Sequence, residues 1–376
     1  MRQCRFKYDV LSLFAGGGFL DLGFHEEGFN IAEAVEVDPW FIEGYNFAFE
    51  KIIGDANPIK CSKDLSDISI LTQLGNKHKG VTGLIGGPPC QDFSVGGKNK
   101  GITGERGKLL YSYLGLVESI KPKFLFFENV PGLIETGEHK EEFLKFVDII
   151  RGYGYLVWYD IINVLEYGFP QDRPRLVLVA FQEGVVSSLI KRGYIAETNN
   201  EALWKKHDDK HIFNWPAKKF PQIKEEEWPK MCPFGTSKRI PKKIKKYREL
   251  CVSEAFKGLS SKIDNQNEGF NPKSKKFLEI QEGDTNRKSF KRLHRYRYSP
   301  TVAYGHNEVH LHPTEPRRLT VREGLRLQTV PDYYIWPEHI PLTHKFKMIS
   351  NGVPTEKARL VAKEIRRTLK LYYESC

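Results

Sequence analysis

The first part of the chain alternates short apolar runs of strand length with longer stretches whose apolar residues recur at helical spacing. The apolar runs lie at 8–14, 31–37, 81–85, 124–127 and 175–181, and the amphipathic stretches lie at 19–28, 39–51 and 140–151. Strands that alternate with helices at this spacing predict an α/β fold with a mostly parallel sheet.

This regular pattern stops after residue 185. Lys, Pro, Asn and Trp become frequent there, and a clear pattern returns only at 317–328. We therefore predict two domains. One is formed by 1–185 together with 317–376, and a second, smaller domain is formed by 186–316.

The end of the chain has the pattern of one long helix. Apolar residues recur at helical spacing through 354–373. Thr355 stands at the start of this stretch and is a candidate N-cap, because its hydroxyl can accept a hydrogen bond from a backbone N–H of the first turn.

Composition excludes several classes of protein. Of the 376 residues, 40% are hydrophobic and 28% are charged, which excludes a disordered or fibrous chain. No apolar run approaches the ~18 residues that a membrane-spanning helix needs. The six cysteines form no Cys-x-x-Cys pair, so a reducing compartment fits better than a disulfide framework or a zinc site. We expect no metal and a cytoplasmic protein.

The excess positive charge is confined to one segment. Residues 186–316 contain 27 Lys and Arg against 16 Asp and Glu, so this segment alone accounts for the net charge of +11. A basic block between neutral flanks indicates a polyanion-binding module, with nucleic acid the first candidate. On charge alone, a lysine-rich solvated insert is an equally good interpretation.

A glycine-rich turn follows the first predicted strand. Gly16, Gly17 and Gly18 stand between that strand and a helix, which favours a ligand site at the carboxyl edge of the sheet. Glu36 ends the second strand, where a carboxylate can accept two ribose hydroxyls. A dinucleotide fingerprint would need glycine where Asp21 stands. The pattern therefore favours a nucleoside site without a pyrophosphate cradle, although such turns are often only structural.

The segment Gly86-Gly-Pro-Pro-Cys90-Gln-Asp-Phe-Ser94 follows another buried strand. Its cysteine is thus expected on a rigid loop at the same edge, where a nearby helix N-terminus would favour the thiolate. We interpret Cys90 as a candidate nucleophile, the alternative being a structural cysteine. The next stretch, 94–107, holds five glycines with Lys98, Lys100 and Arg106. It is either a lid over a polyanion or an ordinary flexible loop.

Polar residues follow two further strands. Glu128 ends an apolar strand, and a carboxyl group there would lie across the crevice from Cys90 and could donate a proton. Arg173 and Arg175 stand just before the next strand, where their guanidinium groups could hold a carbonyl or phosphate oxygen. The alternatives are a loop or capping role for the carboxylate and surface ion pairing for the arginines.

Taken in order, these segments resemble the DNA cytosine carbon-5 methyltransferases, and in particular the prokaryotic restriction-modification type. The resemblance covers 8–185 and about 293–372, and it leaves out the basic middle. It rests on Phe-x-Gly-x-Gly at 14–18, Glu36, Asp64-Leu-Ser-Asp-Ile68, Pro89-Cys90-Gln91, Arg106-Gly-Lys-Leu109, Glu128-Asn-Val130, Gln171-Asp-Arg-Pro-Arg175, His312 to Glu323 with Arg326-Leu-Gln328, and Asn351-Gly-Val-Pro354.

The resemblance implies a Rossmann-like domain that binds S-adenosyl-L-methionine and a variable target-recognition domain at 186–316. It also implies a mechanism, in which Cys90 attacks carbon 6 of a flipped-out cytosine and carbon 5 takes the methyl group. Glu128 would act on ring nitrogen 3, and Arg175 would hold the carbonyl oxygen with Arg173 nearby.

For the cofactor, the resemblance implies a pocket drawn from both ends of the chain. Asn351 belongs to it, so the C-terminal helix must fold back onto the first domain. The implied residues are Phe14 against the adenine, Gly16 and Gly18 in the turn, Glu36 on the ribose, Asp64 on the adenine amine with Asp67 as the second candidate, and Pro89, Leu109, Asn351 and Val353 completing the pocket.

The chain departs from the family's pattern at two places. Gly18-Phe19 stands where the family usually has Gly-Gly, which affects the end of the pocket expected to hold the methionine carboxylate. Ser350-Asn351-Gly352 stands where Gly-Asn-Ala or Gly-Asn-Ser is usual. Neither departure touches the predicted catalytic set.

The resemblance to prokaryotic modification enzymes implies double-stranded DNA and a possible cognate endonuclease as partners and a nucleoid-associated location. The expected state is a monomer. The nearer alternative is a tRNA cytosine methyltransferase of the same fold, which typically carries a Cys-Phe-Thr segment that is absent here. The more remote alternative is a nicotinamide-dependent dehydrogenase, against which the missing third glycine argues.

Overall fold

The computed structural model describes residues 8–54, 62–89, 107–194, 213–236, 239–271, 274–302, 304 and 309–374. Its centre is a six-stranded sheet with the strand order β2-β1-β3-β4-β7-β5. These strands are β1 (Tyr8–Leu13), β2 (Phe29–Val35), β3 (Gly83–Gly86), β4 (Phe124–Asn129), β5 (Tyr155–Asn163) and β7 (Pro174–Gln182). The first four run parallel, and β7 is antiparallel to both of its neighbours. The predicted α/β class with a mostly parallel sheet is confirmed.

Helices cover both faces of this sheet. Val10 and Ile85 contribute to the core on one face, and Leu11 and Leu84 contribute to the core on the other, as the two-residue period of a strand requires. The helices are α1 (Phe19–Glu26), α2 (Pro39–Ile53), α3 (Ile68–Lys77), α4 (Gly107–Ile120), α5 (Gly132–Glu135), α6 (Gly137–Gly152), α7 (Glu183–Lys191), α8 (Val252–Ala255), α9 (Lys276–Glu279), α10 (Val321–Leu327), α11 (Leu342–Asn351) and α12 (Thr355–Tyr373). None of the helices in the described part of the chain is long and apolar enough to cross a membrane.

The described residues in the middle of the chain form little regular structure. They form 3₁₀ turns at Ile223–Glu225 and Lys242–Leu250, and two-residue strands β8 (Lys291–Arg292), β9 (Ser299–Pro300) and β10 (His310–Leu311). A further two-residue strand, β6 (Gln171–Asp172), pairs with β9. A small apolar cluster supports this region, built from residues such as Ile223, Trp228 and Leu250. Short elements of this kind explain why no periodicity could be recognised there.

The last helix packs against the first, which returns the end of the chain to the sheet. The two helices approach closely at Gly23, where a Cβ atom would lie 2.6 Å from both the Ala358 Cβ and the Thr355 carbonyl oxygen. The C-terminal helix thus folds back as the resemblance implied. The N-cap prediction was wrong, because Thr355 is the first helical residue and its hydroxyl has no hydrogen-bond partner among the described residues.

A remote segment caps this helix instead. The Thr355 N–H donates to the Gln328 carbonyl oxygen at 3.1 Å, and the Glu356 N–H donates to Thr329 Oγ1 at 2.9 Å. Two of the backbone N–H groups that a helix N-terminus leaves unpaired are therefore satisfied from the turn after α10.

Candidate active site

The glycine-rich turn after β1 has the backbone conformation that its sequence requires. Gly16 and Gly18 have φ angles of 57° and 78°, and Phe14 has a φ of 56° despite its side chain. A Cβ atom at Gly18 would lie 2.6 Å from the Tyr334 hydroxyl oxygen, so no other residue fits. A strained non-glycine residue beside such a turn is typical of a functional site.

Glu36 lies directly after β2 and connects two loops at the carboxyl edge. Its Oε2 accepts a hydrogen bond from the Gly16 N–H at 2.8 Å. Its Oε1 accepts from the N–H groups of Val37 at 2.8 Å and Asp38 at 3.0 Å. The structure therefore brings Glu36 and the glycine turn together, as their positions in the sequence predicted.

The acidic segment around Asp64 lies beside Glu36. The N–H of Lys63 donates to the Glu36 carbonyl oxygen at 3.0 Å, and Ser62 Oγ donates to the Val37 carbonyl oxygen at 2.9 Å. Asp67, the second candidate for the adenine amine, caps α3 by accepting from the Ser69 N–H at 2.8 Å. Asp64 likewise accepts from the Ser66 N–H at 2.9 Å, so both aspartates stay candidates for the ligand contact.

A buried ion cluster anchors that segment to β2. Lys63, Lys77 and His78 all contact the carboxylate of Glu33. Burial alone would raise the pKa of Glu33, but the hydrogen bonds from His78, Lys63 and Lys77 outweigh it and hold the pKa well below its usual range. The cluster fixes the backbone immediately before Asp64.

The loop after β3 approaches Glu128 closely. The Asn129 side-chain amide donates to the Pro88 carbonyl oxygen at 3.2 Å. A Cβ atom at Gly87 would lie 3.0 Å from the Glu128 carbonyl oxygen and 3.5 Å from its Oε2. Pro89 is exposed and is the last described residue of this loop. Cys90 and residues 94–106 of the glycine-rich stretch lie outside the described residues.

Glu128 is buried at the end of β4 between two cations. Its Oε1 lies 2.9 Å from Lys357 Nζ and 3.7 Å from Arg175 Nε. Arg175 lies on β7, the antiparallel neighbour of β4, so adjacent strands bring the two side chains together. The resemblance implied that Glu128 and Arg175 act on the same base, and the structure brings their side chains next to each other.

Arg173 is directed elsewhere. Its guanidinium is almost fully buried and donates to the carbonyl oxygens of Val302 at 2.9 Å, Ser350 at 2.7 Å and Gly352 at 3.0 Å. Burial, and secondly the charge of Arg175, lower the pKa of Arg173 well below its usual value. This side chain therefore holds the backbone on both sides of Asn351.

The remaining predicted pocket residues are divided between the two sides of the sheet. Phe14 and Leu109 are half-buried against the same apolar cluster. Asn351 is the exposed last residue of α11, and Val353 is buried in the cluster on the opposite face. Among the described residues, no group of three or more His, Cys, Asp or Glu is placed to hold a metal ion.

Sequence reasoning missed Lys357, although the pattern of α12 contains a signal for it. The buried residues of this helix include Ala358, Val361 and Ile365, and Lys357 is buried with them. A lysine on the apolar stripe of a helix is unusual and indicates a buried partner. Burial lowers the pKa of Lys357 to about 8, against the opposing influence of Glu128.

Comparison with known proteins identifies the same family throughout the chain. A family model described as C-5 cytosine-specific DNA methylase matches residues 8–367. The Type II methyltransferase M.NmeDI of Neisseria meningitidis serogroup C is 39% identical, over 100% of this chain and 86% of its own length. M.FnuDI of Fusobacterium nucleatum, also named a Type II methyltransferase, is 30% identical over 96% of this chain and 94% of its own.

Solved structures share the fold at lower sequence identity. The Dnmt2 methyltransferase of S. pombe is 14% identical, with a TM-score of 0.59 over 97% of this chain and 98% of its own. The methyltransferase EhMeth of Entamoeba histolytica is 17% identical, with a TM-score of 0.57 over 98% of each chain. At this identity, the likeness concerns the fold alone.

Proposed function

The chain belongs to the C-5 cytosine-specific DNA methylases, and we propose that it methylates carbon 5 of a flipped-out cytosine within a specific duplex sequence, with S-adenosyl-L-methionine as methyl donor. It is a DNA (cytosine-5-)-methyltransferase of the restriction-modification type. Membership of this family removes the nicotinamide-dependent dehydrogenase as an alternative.

The residues at the carboxyl edge suit a nucleoside cofactor. Glu36 presents a carboxylate where the glycine turn meets the end of β2, which suits the two hydroxyls of a ribose. The Val37 side chain is 55% exposed beside it, and an exposed apolar surface of this kind suits one face of an adenine. The residues that would hold the cofactor are Phe14, Gly16, Gly18, Glu36, Asp64, Pro89, Leu109, Asn351 and Val353. When bound, S-adenosyl-L-methionine supplies an electrophilic methyl group.

The chemistry of cytosine explains why a thiol and a carboxyl group are needed. Carbon 5 is a poor nucleophile because the ring is electron-poor. Attack of the Cys90 thiolate on carbon 6 places negative charge in the ring and makes carbon 5 nucleophilic. Glu128 stabilises that charge at ring nitrogen 3 by a hydrogen bond or a proton. Carbon 5 then takes the methyl group, and loss of the carbon 5 proton with departure of the Cys90 sulfur restores the aromatic ring.

The two arginines have different proposed roles. Arg175 lies beside Glu128, and we assign it to holding the cytosine carbonyl oxygen. Arg173 donates to backbone carbonyls around Asn351 instead, so we assign it to positioning the pocket rather than to contact with the base. The target atoms are inaccessible inside a duplex, so the cytosine has to rotate out of the stack, as for other base-modifying enzymes.

We assign target recognition to the basic segment 186–316. We also propose that the chain acts as a monomer. The short elements and long loops of the segment offer many backbone and side-chain groups to DNA, and its excess of positive charge suits phosphates. Helix α7 crosses residue 186 and packs Val185, Val186 and Leu189 into the main core, so within 186–316 we assign DNA contact to the residues after Lys191. A cognate endonuclease and a nucleoid location stay predictions.

The observation that carries this proposal is the burial of Glu128 beside Arg175, next to the Pro88–Pro89 loop that leads to Cys90. The test is a methyl-transfer assay with labelled cofactor on mixed-sequence duplex DNA and on tRNA, followed by mapping of the modified cytosines. We expect label in duplex DNA at one short sequence. Label in tRNA alone would favour the tRNA enzyme, and label in neither would contradict the proposal.

A further inference from the structure

Lys357 and Glu128 form a buried ion pair across 229 residues of chain. Lys357 is 1% exposed and Glu128 is 8% exposed, and the distance from Nζ to Oε1 is 2.9 Å. Arg175 Nε lies 3.7 Å from the same carboxylate oxygen. Two cations from different elements, α12 and β7, therefore approach one oxygen of the predicted catalytic carboxyl group.

Stability does not account for a lysine at this position. Removing an ammonium group from water is costly, and replacing a buried ion pair by apolar residues is often neutral or stabilising. Lys357 also lies in the first turn of α12, where a positive charge opposes the helix dipole. The next buried positions along the helix, Ala358, Val361 and Ile365, are apolar, and an apolar residue at 357 would extend that stripe without either cost.

The second oxygen of Glu128 faces the other way. A Cβ atom built on Gly87 would lie 3.5 Å from Oε2, and only the Glu128 carbonyl oxygen would be nearer. Oε2 therefore points toward the loop that leads to Cys90. A carboxyl group that is free to rotate would exchange its two oxygens. Because Oε1 is occupied by Lys357 and approached by Arg175, the carboxyl group is held in one orientation, with Oε2 toward the proposed base site.

We propose that Lys357 is a positioning residue for Glu128: it donates to Oε1 and fixes the carboxyl orientation, so that Oε2 is the oxygen that carries the proton donated to ring nitrogen 3 of the target cytosine. This inference rests on the proposed function and deepens it. The charged groups around the pair are Lys357, Glu128, Arg175 and Arg173. Burial lowers the pKa of Lys357 to about 8, so the ion pair is complete at neutral pH and loses its cation as the pH rises further.

The test compares Lys357→Met with Lys345→Met in the full chain. Lys345 is also fully buried and contacts a carboxylate, that of Glu268, but it belongs to no part of the proposed site. We expect Lys357→Met to lower kcat by roughly 10- to 100-fold, because a misplaced catalytic group slows the reaction by about that factor. KM and cofactor affinity should stay nearly unchanged. Lys345→Met is expected to keep the wild-type kcat.

Two further readouts separate positioning from a general loss of structure. In a Glu128→Gln background, Lys357→Met should have little additional effect on single-turnover rate, because its action depends on Glu128. The ratio of wild-type to Lys357→Met kcat should also fall as the pH rises from about 7 to about 9, because the wild type loses its own cation over that range.

Equal losses in both backgrounds, or an unchanged kcat in Lys357→Met, would overturn the inference. Those results leave the proposed function intact if the wild type methylates cytosine and Glu128→Gln is impaired. An inactive wild type, or a fully active Glu128→Gln variant, would instead contradict the proposed function itself.

Discussion

The ring of Phe19 fills the space into which a side chain at residue 352 would project, and a Cβ atom built on Gly352 would overlap the Phe19 ring. Phe19 is held there by stacking on Trp336, with ring centroids 5.7 Å apart, and by an edge contact with Tyr334 at 5.9 Å. The chain departs from the family's pattern at these two positions, 19 and 352. The structure shows that the two departures compensate each other.

Gly352→Ala is expected to destabilise the fold by roughly 1–3 kcal/mol, because the added methyl group overpacks a filled site. In a Phe19→Gly background, Gly352→Ala should lower the free energy of unfolding by much less. Urea unfolding of the four proteins measures this coupling. Gly115→Ala is the matched control, since a Cβ at Gly115 meets nothing within 4 Å. Additive effects of the two substitutions would contradict the compensation.

Glu36→Ala is expected to weaken binding of S-adenosyl-L-methionine by roughly 1–3 kcal/mol, because a buried ribose hydroxyl loses its acceptor. The glycine turn also loses the hydrogen bond from Gly16 to Glu36. Calorimetry measures the cofactor affinity, and DNA binding without cofactor serves as the control and should barely change. An unchanged cofactor affinity would show that the ribose lies elsewhere.

The lysines of the 3₁₀ segment Lys242–Leu250 are expected to contribute to phosphate contact unequally. Lys243 pairs with Glu227 at 2.7 Å and Lys246 with Glu226 at 3.5 Å. These pairs neutralise part of the cluster, so changing Lys242 and Lys245 to Gln should flatten the salt dependence of DNA binding more than changing Lys243 and Lys246.

Each lost phosphate contact should reduce the log–log salt slope by about 0.9. The preferred sequence should stay the same, because phosphate contacts do not read bases. Binding isotherms over a range of salt measure the slope. An unchanged slope after all four substitutions would mean that these lysines form a solvated face away from DNA.

Asp21 is expected to make stability depend on pH. Burial raises its pKa from 3.8 to about 7, although hydrogen bonds from Ser12 and Tyr45 lower it in part. The folded state therefore binds a proton more tightly than the unfolded state, and stability falls as the pH rises from about 4 to about 7. Asp21→Asn should remove this pH dependence. The difference in the free energy of unfolding between the two proteins should therefore change by on the order of 1 kcal/mol or more across this pH range. Parallel pH profiles of Tm for wild type and variant would contradict this.

The position of the site at one sheet edge was predictable because parallel strands end at the same edge. The glycine turn, Glu36 and Glu128 each follow a strand, and strand periodicity is a local signal. The contacts made by the end of the chain were not predictable in the same way. Lys357 meets Glu128 where α12 packs closely on α1 at Gly23, and no local pattern encodes that distance.

Two residues show how remote contacts override local rules. Thr355 was expected to cap its helix, but Thr329 and Gln328 supply the acceptors from a distant turn. Arg173 has the sequence position of a ligand-binding arginine, yet its guanidinium bonds to carbonyls of Val302, Ser350 and Gly352. Such choices depend on which backbone groups the folded chain leaves unpaired.

The most direct test of the central claim is covalent trapping on duplex DNA that carries 5-fluorocytosine at the mapped target position. Fluorine replaces the proton that must leave carbon 5, so the bond between Cys90 and carbon 6 persists after methyl transfer. Intact mass spectrometry of the wild type with cofactor should give one protein–DNA adduct whose linkage maps to Cys90. Cys90→Ser should give no adduct and no methyl transfer while still binding cofactor. A wild type that methylates DNA without forming an adduct, or a fully active Cys90→Ser variant, would contradict the account.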